Sequence, residues 1–233
     1  MMNTAPMSPS PLETWPPAWE PAAVVFDCDG LLVDTESQWV QVQDDYLAQH
    51  GVSLDPEVRR RITGRAAEVV VVAVAERVGK DPHVVGTELL ERHRADTSRV
   101  LTPFPGALET LRAVAARKPT AIASNSPRDL LDHKLETLGI QGVAHVTIAI
   151  EDATAPKPAP DMYLAAARAL GADPADCLGF EDSETGAEAA LAAGLHLIVV
   201  PSIPGQDPPA PRRLSTLEDP VLSSWIAGWE STR

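Results

Sequence analysis

A chain of 233 residues with 44% hydrophobic content can bury a full core and fits one large domain or two modest ones. Its 19 Lys plus Arg stand against 33 Asp plus Glu, a formal charge of -14, so a phosphate backbone would be repelled and nucleic acid is excluded as a partner. Two cysteines, Cys28 and Cys177, are too few for a disulfide framework and read as small buried hydrophobes in a reducing compartment.

No Lys or Arg precedes Arg59, so the basic region of a signal peptide is missing, and no apolar run reaches membrane-spanning length. A cytoplasmic protein with no membrane partner is expected, and a monomer. Residues 1–21 carry Pro6, Pro9, Pro11, Pro16, Pro17 and Pro21, which can neither ladder nor continue a helix, and read as a disordered leader. The run AAVVF (22–26) shows no alternation, the pattern of a strand buried on both faces of a parallel sheet, and it leads straight into DCDG. TAIASNS (120–126), CLGFEDS (177–183) and LHLIVVP (195–201) repeat that shape, with VTIAI (146–150) a weaker fifth.

Helical patterns lie between these runs. Leu131, Leu135 and Leu138 recur at i, i+4, i+7, and Tyr163, Ala166, Ala167 and Leu170 at i, i+3, i+4, i+7, each series closing on a glycine, Gly139 or Gly171. The alternation predicts an α/β fold, a doubly wound parallel sheet whose ligands bind beyond the carboxyl ends of the strands. The interval from Gly30 to Thr120 is too long for a simple crossover and signals an insertion. Thr35 with Gln38 reads as a capping box, Asp55-Pro56 and Asp81-Pro82 as helix starts, and Val69 to Val78 as a buried helix despite its valines. The expected organisation is a core of 22–35 plus 101–233 around a helical cap spanning 36–100. After Pro201 a surface loop should give way to a short helix around Leu217 to Trp229.

Polar residues gather where the apolar runs stop. Asp27 and Asp29, two apart after a buried strand, can face one crevice, and two buried acids need a cation or a shared proton. Gly30 and Gln38 stand where an EF-hand loop would not have them. Ser124 and Asn125 follow the second strand, where a helix N-terminus makes an anion site. Lys157 sits in APKPAP, its flanking prolines stiffening the loop that carries the ammonium. Glu181 and Asp182 supply a second acidic pair able to complete an oxygen-rich Mg²⁺ site, unless Asp182 merely caps the next helix.

Together DCDGLLVD, SNS, KPAP and GFEDS, in that order and over about 22–201, resemble the haloacid dehalogenase superfamily, in its branch with a helical cap after the first motif. TGAEAALAAGL after GFEDS is similar to the family's helix. The resemblance implies a Mg²⁺-dependent phosphatase of a small phosphorylated substrate, working through a covalent aspartyl-phosphate. It would make Asp27 the nucleophile and Asp29 the general acid and base. It would have the Asp27 side chain, the Asp29 carbonyl and Asp182 hold Mg²⁺, with Glu181 acting through water. Ser124, Asn125 and Lys157 would bind the phosphoryl oxygens. GFEDS resembles the sugar-phosphate members more than the phosphoglycolate phosphatases. Arg65, after Gly64 in a cap turn, is the candidate for a substrate contact from the cap.

Three rival readings fit the residues less well. A dehalogenase needs no acid at the Asp29 position, and a receiver module has no place for the insertion. A β-phosphoglucomutase needs a cap cation for a second phosphate, and the residues after Gly64 and Arg65 are Ala66, Ala67, Glu68 and Val69. GxSxG, Walker and HExxH motifs are absent from the sequence.

Overall fold

The apolar runs pair as a sheet. The structure is a computed structural model describing residues 10–62, 67–97, 101–202 and 206–231. Strands β1 (Ala23–Phe26), β2 (Thr120–Ala123), β3 (Val146–Ile148), β4 (Cys177–Glu181), β5 (His196–Val199) and β6 (Arg212–Arg213) lie in the order β3-β2-β1-β4-β5-β6. Every pairing is parallel, with Val24 opposite both Thr120 and Leu178. The chain moves outward from β1 through β2 to β3, then returns to place β4 on the other side of β1. That reversal opens a crevice at the carboxyl ends of β1 and β4.

Each face of the sheet buries its own layer, which is why β1 and β4 show no alternation. On one side Val24, Phe26, Ile122, Leu178 and Phe180 pack with α5 (Ala107–Ala115), α6 (Arg128–Thr137) and α9 (Pro220–Ala227). The Phe26 and Phe180 rings stack at 4.8 Å, and burying each is worth about 2–3 kcal/mol. On the other side Ala23, Val25, Ala121 and Cys177 meet the alanine-rich stripes of α7 (Asp161–Leu170) and α8 (Glu184–Ala192). The small side chains on this face let those helices sit close.

Between β1 and β2 come α1 (Thr35–Gln49), α2 (Pro56–Ile62), α3 (Ala67–Val78) and α4 (Pro82–Thr97), gathered around their own cluster of Tyr46, Leu47, Val70, Val74 and Leu89. The valine-rich segment is helical because Val70 and Val74, four apart, share one buried face. Asp55 and Asp81 cap as expected, accepting from the N–H groups of Glu57 and His83, each at 2.8 Å. The start of α1 differs: Asp34, not Thr35, is the N-cap, accepting from Ser37 N–H at 3.0 Å. With the aspartate one position earlier as the cap, the N–H it serves is that of Ser37 rather than that of Gln38.

The expectation of a disordered leader does not hold for its second half. Residues Pro11–Glu13 form a 3-10 turn with Leu12 fully buried, and Trp15 and Trp19 pack on the core. Prolines forbid laddering but not burial, and three large apolar side chains in eight residues outweigh the ordering cost. Strand β6, absent from the sequence expectation, helps fasten this segment: Arg212 donates to the carbonyls of Leu12 at 2.8 Å and Glu13 at 3.0 Å, beneath the Trp15 ring. Among the described residues no helix is long and apolar enough to cross a membrane.

Candidate active site

Asp27 follows the last residue of β1, and its N–H still donates to Phe180 of β4 at 2.9 Å, so the start of the loop is locked to the sheet. The chain then folds back tightly, with Leu32 N–H on the Cys28 carbonyl at 2.9 Å and Gly30 N–H on Val33 at 2.8 Å. Gly30 has φ +89°, and a Cβ there would stand 2.1 Å from Asp182 Oδ2. Glycine is what lets the first loop and the loop after β4 touch.

Lys157 reaches this point from the loop before α7. Asn125 clamps that loop by its backbone, accepting from Lys157 N–H at 3.0 Å and donating to its carbonyl at 3.3 Å. The ammonium meets Asp27 Oδ1, Glu181 Oε1 at 2.7 Å and the Ala123 carbonyl at 3.0 Å, so its three donors are all used. Burial lowers its basicity, but the charges of Asp27 and Glu181 outweigh this and hold it well above the ordinary lysine range.

Glu181 anchors the network. Oε1 also accepts from the Tyr163 hydroxyl at 2.6 Å, and Oε2 from Asp182 N–H at 3.0 Å and the Ser183 hydroxyl at 3.2 Å. Burial raises its carboxyl, yet Lys157 first and then these donors bring it below the usual value. A Cβ on Gly186 would fall 1.8 Å from Glu181 Oε1, so the first turn of α8 is hollowed to admit this side chain. Truncation by Glu181→Ala strands the Tyr163 hydroxyl and half of the Lys157 charge, and should cost about 3 kcal/mol of stability in urea unfolding. A loss below about 1 kcal/mol would show that Glu181 is not the anchor.

Asp29 faces a separate socket. Its Oδ2 accepts from the hydroxyls of Ser124 at 2.7 Å and Ser126 at 3.0 Å, and its Oδ1 pairs with Lys134 of α6. Burial works to raise this carboxyl, but the charge and hydrogen bond of Lys134, with the two serines, bring it down to about 2. Neither Ser124 nor Asn125 caps α6, whose N-cap is Pro127. Lys134 and Ser126 escaped the sequence reading. The signal was there, because Lys134 lies three residues after Leu131 on the stripe that continues to Leu138.

Asp27, Glu181 and Asp182 each bring a carboxylate oxygen within 4.8 Å of the others. Burial, then the Glu181 charge, push Asp27 up to about 8 despite Lys157, and burial with Glu181 and Asp27 raises Asp182 well above its ordinary value. Ser202 donates to Asp182 Oδ2, while Asp182 Oδ1 and Asp27 Oδ2 are buried with no hydrogen-bond partner among the described residues. Two orphaned carboxylate oxygens in an all-oxygen cluster fit a hard divalent cation. Glu181, with both oxygens taken, fits an outer position. Ser183, accepting from Gly186 N–H at 3.1 Å, caps α8, so Asp182 is not spent there. Arg65 and Gly64 lie outside the described residues.

The open carboxylate oxygens beside the Lys157 ammonium lie at the switch point of a doubly wound sheet, where such folds bind their ligands. Comparison with known proteins agrees. The model of haloacid dehalogenase-like hydrolases matches residues 21–194, and the chain belongs to that family. Fructose-1-phosphate phosphatase YqaB of Escherichia coli (strain K12) is 28% identical over 181 residues, 77% of this chain and 96% of the relative. Validoxylamine A 7'-phosphate phosphatase of Streptomyces hygroscopicus subsp. limoneus is 30% identical over 176 residues, 75% of this chain and 83% of the relative. A HAD family hydrolase from Deinococcus radiodurans R1, solved with bound phosphate and sodium, is 35% identical, covers 91% of each chain and superposes with a TM-score of 0.64.

Proposed function

We propose that this hydrolase is a Mg²⁺-dependent phosphatase of a small sugar phosphate, with Asp27 as nucleophile and Asp29 as the group that moves the proton. The observation that carries the reading is the pair of partnerless buried oxygens, Asp27 Oδ2 and Asp182 Oδ1, beside the Lys157 ammonium. That the chain is a phosphatase rests on its family and on relatives named as phosphatases; the sugar phosphate rests on the fructose-1-phosphate phosphatase among them and on the sequence GFEDS.

Bound Mg²⁺ would be held by Asp27 and Asp182, with Glu181 behind them, and would screen the charge between nucleophile and phosphoryl oxygens. Lys157 adds a second positive charge on the Asp27 side. Asp27 forms a bond to phosphorus as the ester oxygen leaves, and the leaving oxygen takes a proton from Asp29. Water then attacks the same phosphorus, its proton passes to Asp29, and the Asp27–phosphorus bond breaks to give inorganic phosphate. Held near 2, Asp29 is in the state the second step needs. For the first step it must gain a proton as substrate binds, which the negative phosphoryl group favours.

A panel of sugar phosphates, nucleotides and glycolytic acids, assayed for phosphate release with Mg²⁺, tests this. Sugar phosphates should exceed nucleotides by about tenfold or more in kcat/KM. A preference for nucleotides would replace the substrate class, and isomerisation of β-glucose 1-phosphate without phosphate release would replace hydrolysis.

A further inference from the structure

One buried charge beside the site, that of Lys134, has no task in the reaction. α6 turns Leu131, Lys134 and Leu135 into the core, and Lys134 is 2% exposed. Its ammonium pairs with Asp29 Oδ1 and donates to Ser126 Oγ at 2.8 Å, while Ser126 in turn donates to Asp29 Oδ2 at 3.0 Å. Packing alone does not call for the pair, since exchanging both partners of a buried ion pair for apolar side chains is often neutral or stabilising, whereas removing Lys134 by itself leaves Asp29 without its counter-ion.

The arrangement instead fixes a carboxylate. An aspartate beside a crevice can turn about two side-chain bonds; one whose two oxygens are held from Ser124, Ser126 and Lys134 cannot. Its side chain is still 29% exposed, which leaves room for a water on the open side. Lys157, by contrast, serves Asp27 and Glu181, so the two lysines divide the two aspartates between them.

We propose that Lys134, acting with Ser126, is a positioning residue for Asp29 in the second half of the reaction, aiming it at the water that releases phosphate from Asp27. The proposal rests on the reading of Asp27 and Asp29 given above. In the step concerned a water oxygen bonds to phosphorus, the Asp27–phosphorus bond breaks, the water proton goes to Asp29, and Asp27 recovers its carboxylate. Attack by Asp27 on the substrate does not depend on Lys134 when the leaving group needs no proton.

Steady-state kinetics of the Mg²⁺-loaded enzyme with 4-nitrophenyl phosphate separate the two halves, since 4-nitrophenolate leaves unprotonated and kcat/KM then reports attack by Asp27. For Lys134→Met, kcat should fall about thirtyfold to a hundredfold, the cost of a misplaced group, with kcat/KM changed less than about threefold. Radiolabelled, hydroxylamine-sensitive phosphoenzyme should accumulate in the variant. Ser126→Ala should split the constants in the same direction by a smaller factor, and carries the test by itself if circular dichroism shows Lys134→Met unfolded. Parallel falls in kcat and kcat/KM, or no fall in kcat, overturn the role of Lys134. Turnover with no labelled enzyme in either variant or in wild type would overturn the aspartyl-phosphate reading instead.

Discussion

Asp27→Asn should lower turnover by at least about a thousandfold while the far-ultraviolet circular dichroism stays native. The substitution keeps the volume at the end of β1 and removes the charge proposed to attack phosphorus. It also removes one member of the cluster with Glu181 and Asp182, whose mutual repulsion and burial push Asp27 up to about 8. The variant should therefore be folded and at least as stable as the parent in the absence of metal. Substrate affinity should survive, because Lys157 keeps its acceptors on Glu181 and Ala123. Phosphate release within about tenfold of wild type would remove Asp27 from the nucleophile role.

The second large effect concerns Asp182. Chelation of divalent cations should abolish turnover, and Asp182→Asn should cost about a hundredfold or more in activity at fixed Mg²⁺. Stability should move the other way. The Asp182 carboxyl is raised in the folded chain by burial, Glu181 and Asp27, whereas in the unfolded chain it titrates near the ordinary value of about 3.9. An acid raised on folding favours the fold below its unfolded pKa, and that contribution is lost as pH climbs toward the folded value. Metal-free wild type should thus lose stability from pH 4 upward relative to the variant. At pH 7.5 in chelator, Asp182→Asn should melt about 3 °C or more above wild type, and Mg²⁺ should raise the Tm of wild type alone. A variant that melts lower in chelator, or still gains from Mg²⁺, would take Asp182 out of the metal set.

Much of this layout was legible because apolar runs without alternation have few other uses. AAVVF, TAIA and CLGFE had to be covered on both faces, and the acids after them had to emerge at one edge. Asp55-Pro56 and Asp81-Pro82 were equally readable, since an aspartate with a proline behind it satisfies the first turn of a helix. What escaped depended on partners distant in sequence. Arg212–Arg213 has no apolar signature, and becomes a strand because the edge of β5 offers backbone groups to pair with. Lys134 was not singled out, because its counter-ion, Asp29, stands 105 residues away. The proline-rich leader was judged by its backbone, while its fate was decided by Leu12, Trp15 and Trp19. Asn125, expected at the phosphate from its place after β2, also clamps the backbone of Lys157, 32 residues on, which its position did not announce.

The packed leader also decides what light can report about this protein. Trp15 meets Trp225 at 5.5 Å between ring centroids, Trp225 meets Trp229 at 4.9 Å, and the Trp225 indole donates to the Trp19 carbonyl at 3.2 Å. Four of the five tryptophans therefore emit from one clasp where residues 15–19 meet residues 225–229, and the fifth, Trp39, stands among the inserted helices of the cap against His93 at 5.3 Å. Intrinsic fluorescence of a Trp39→Phe variant would follow opening of the clasp by itself. The difference between that signal and the parent's would isolate the cap, giving a label-free optical separation of the sheet and its inserted helices.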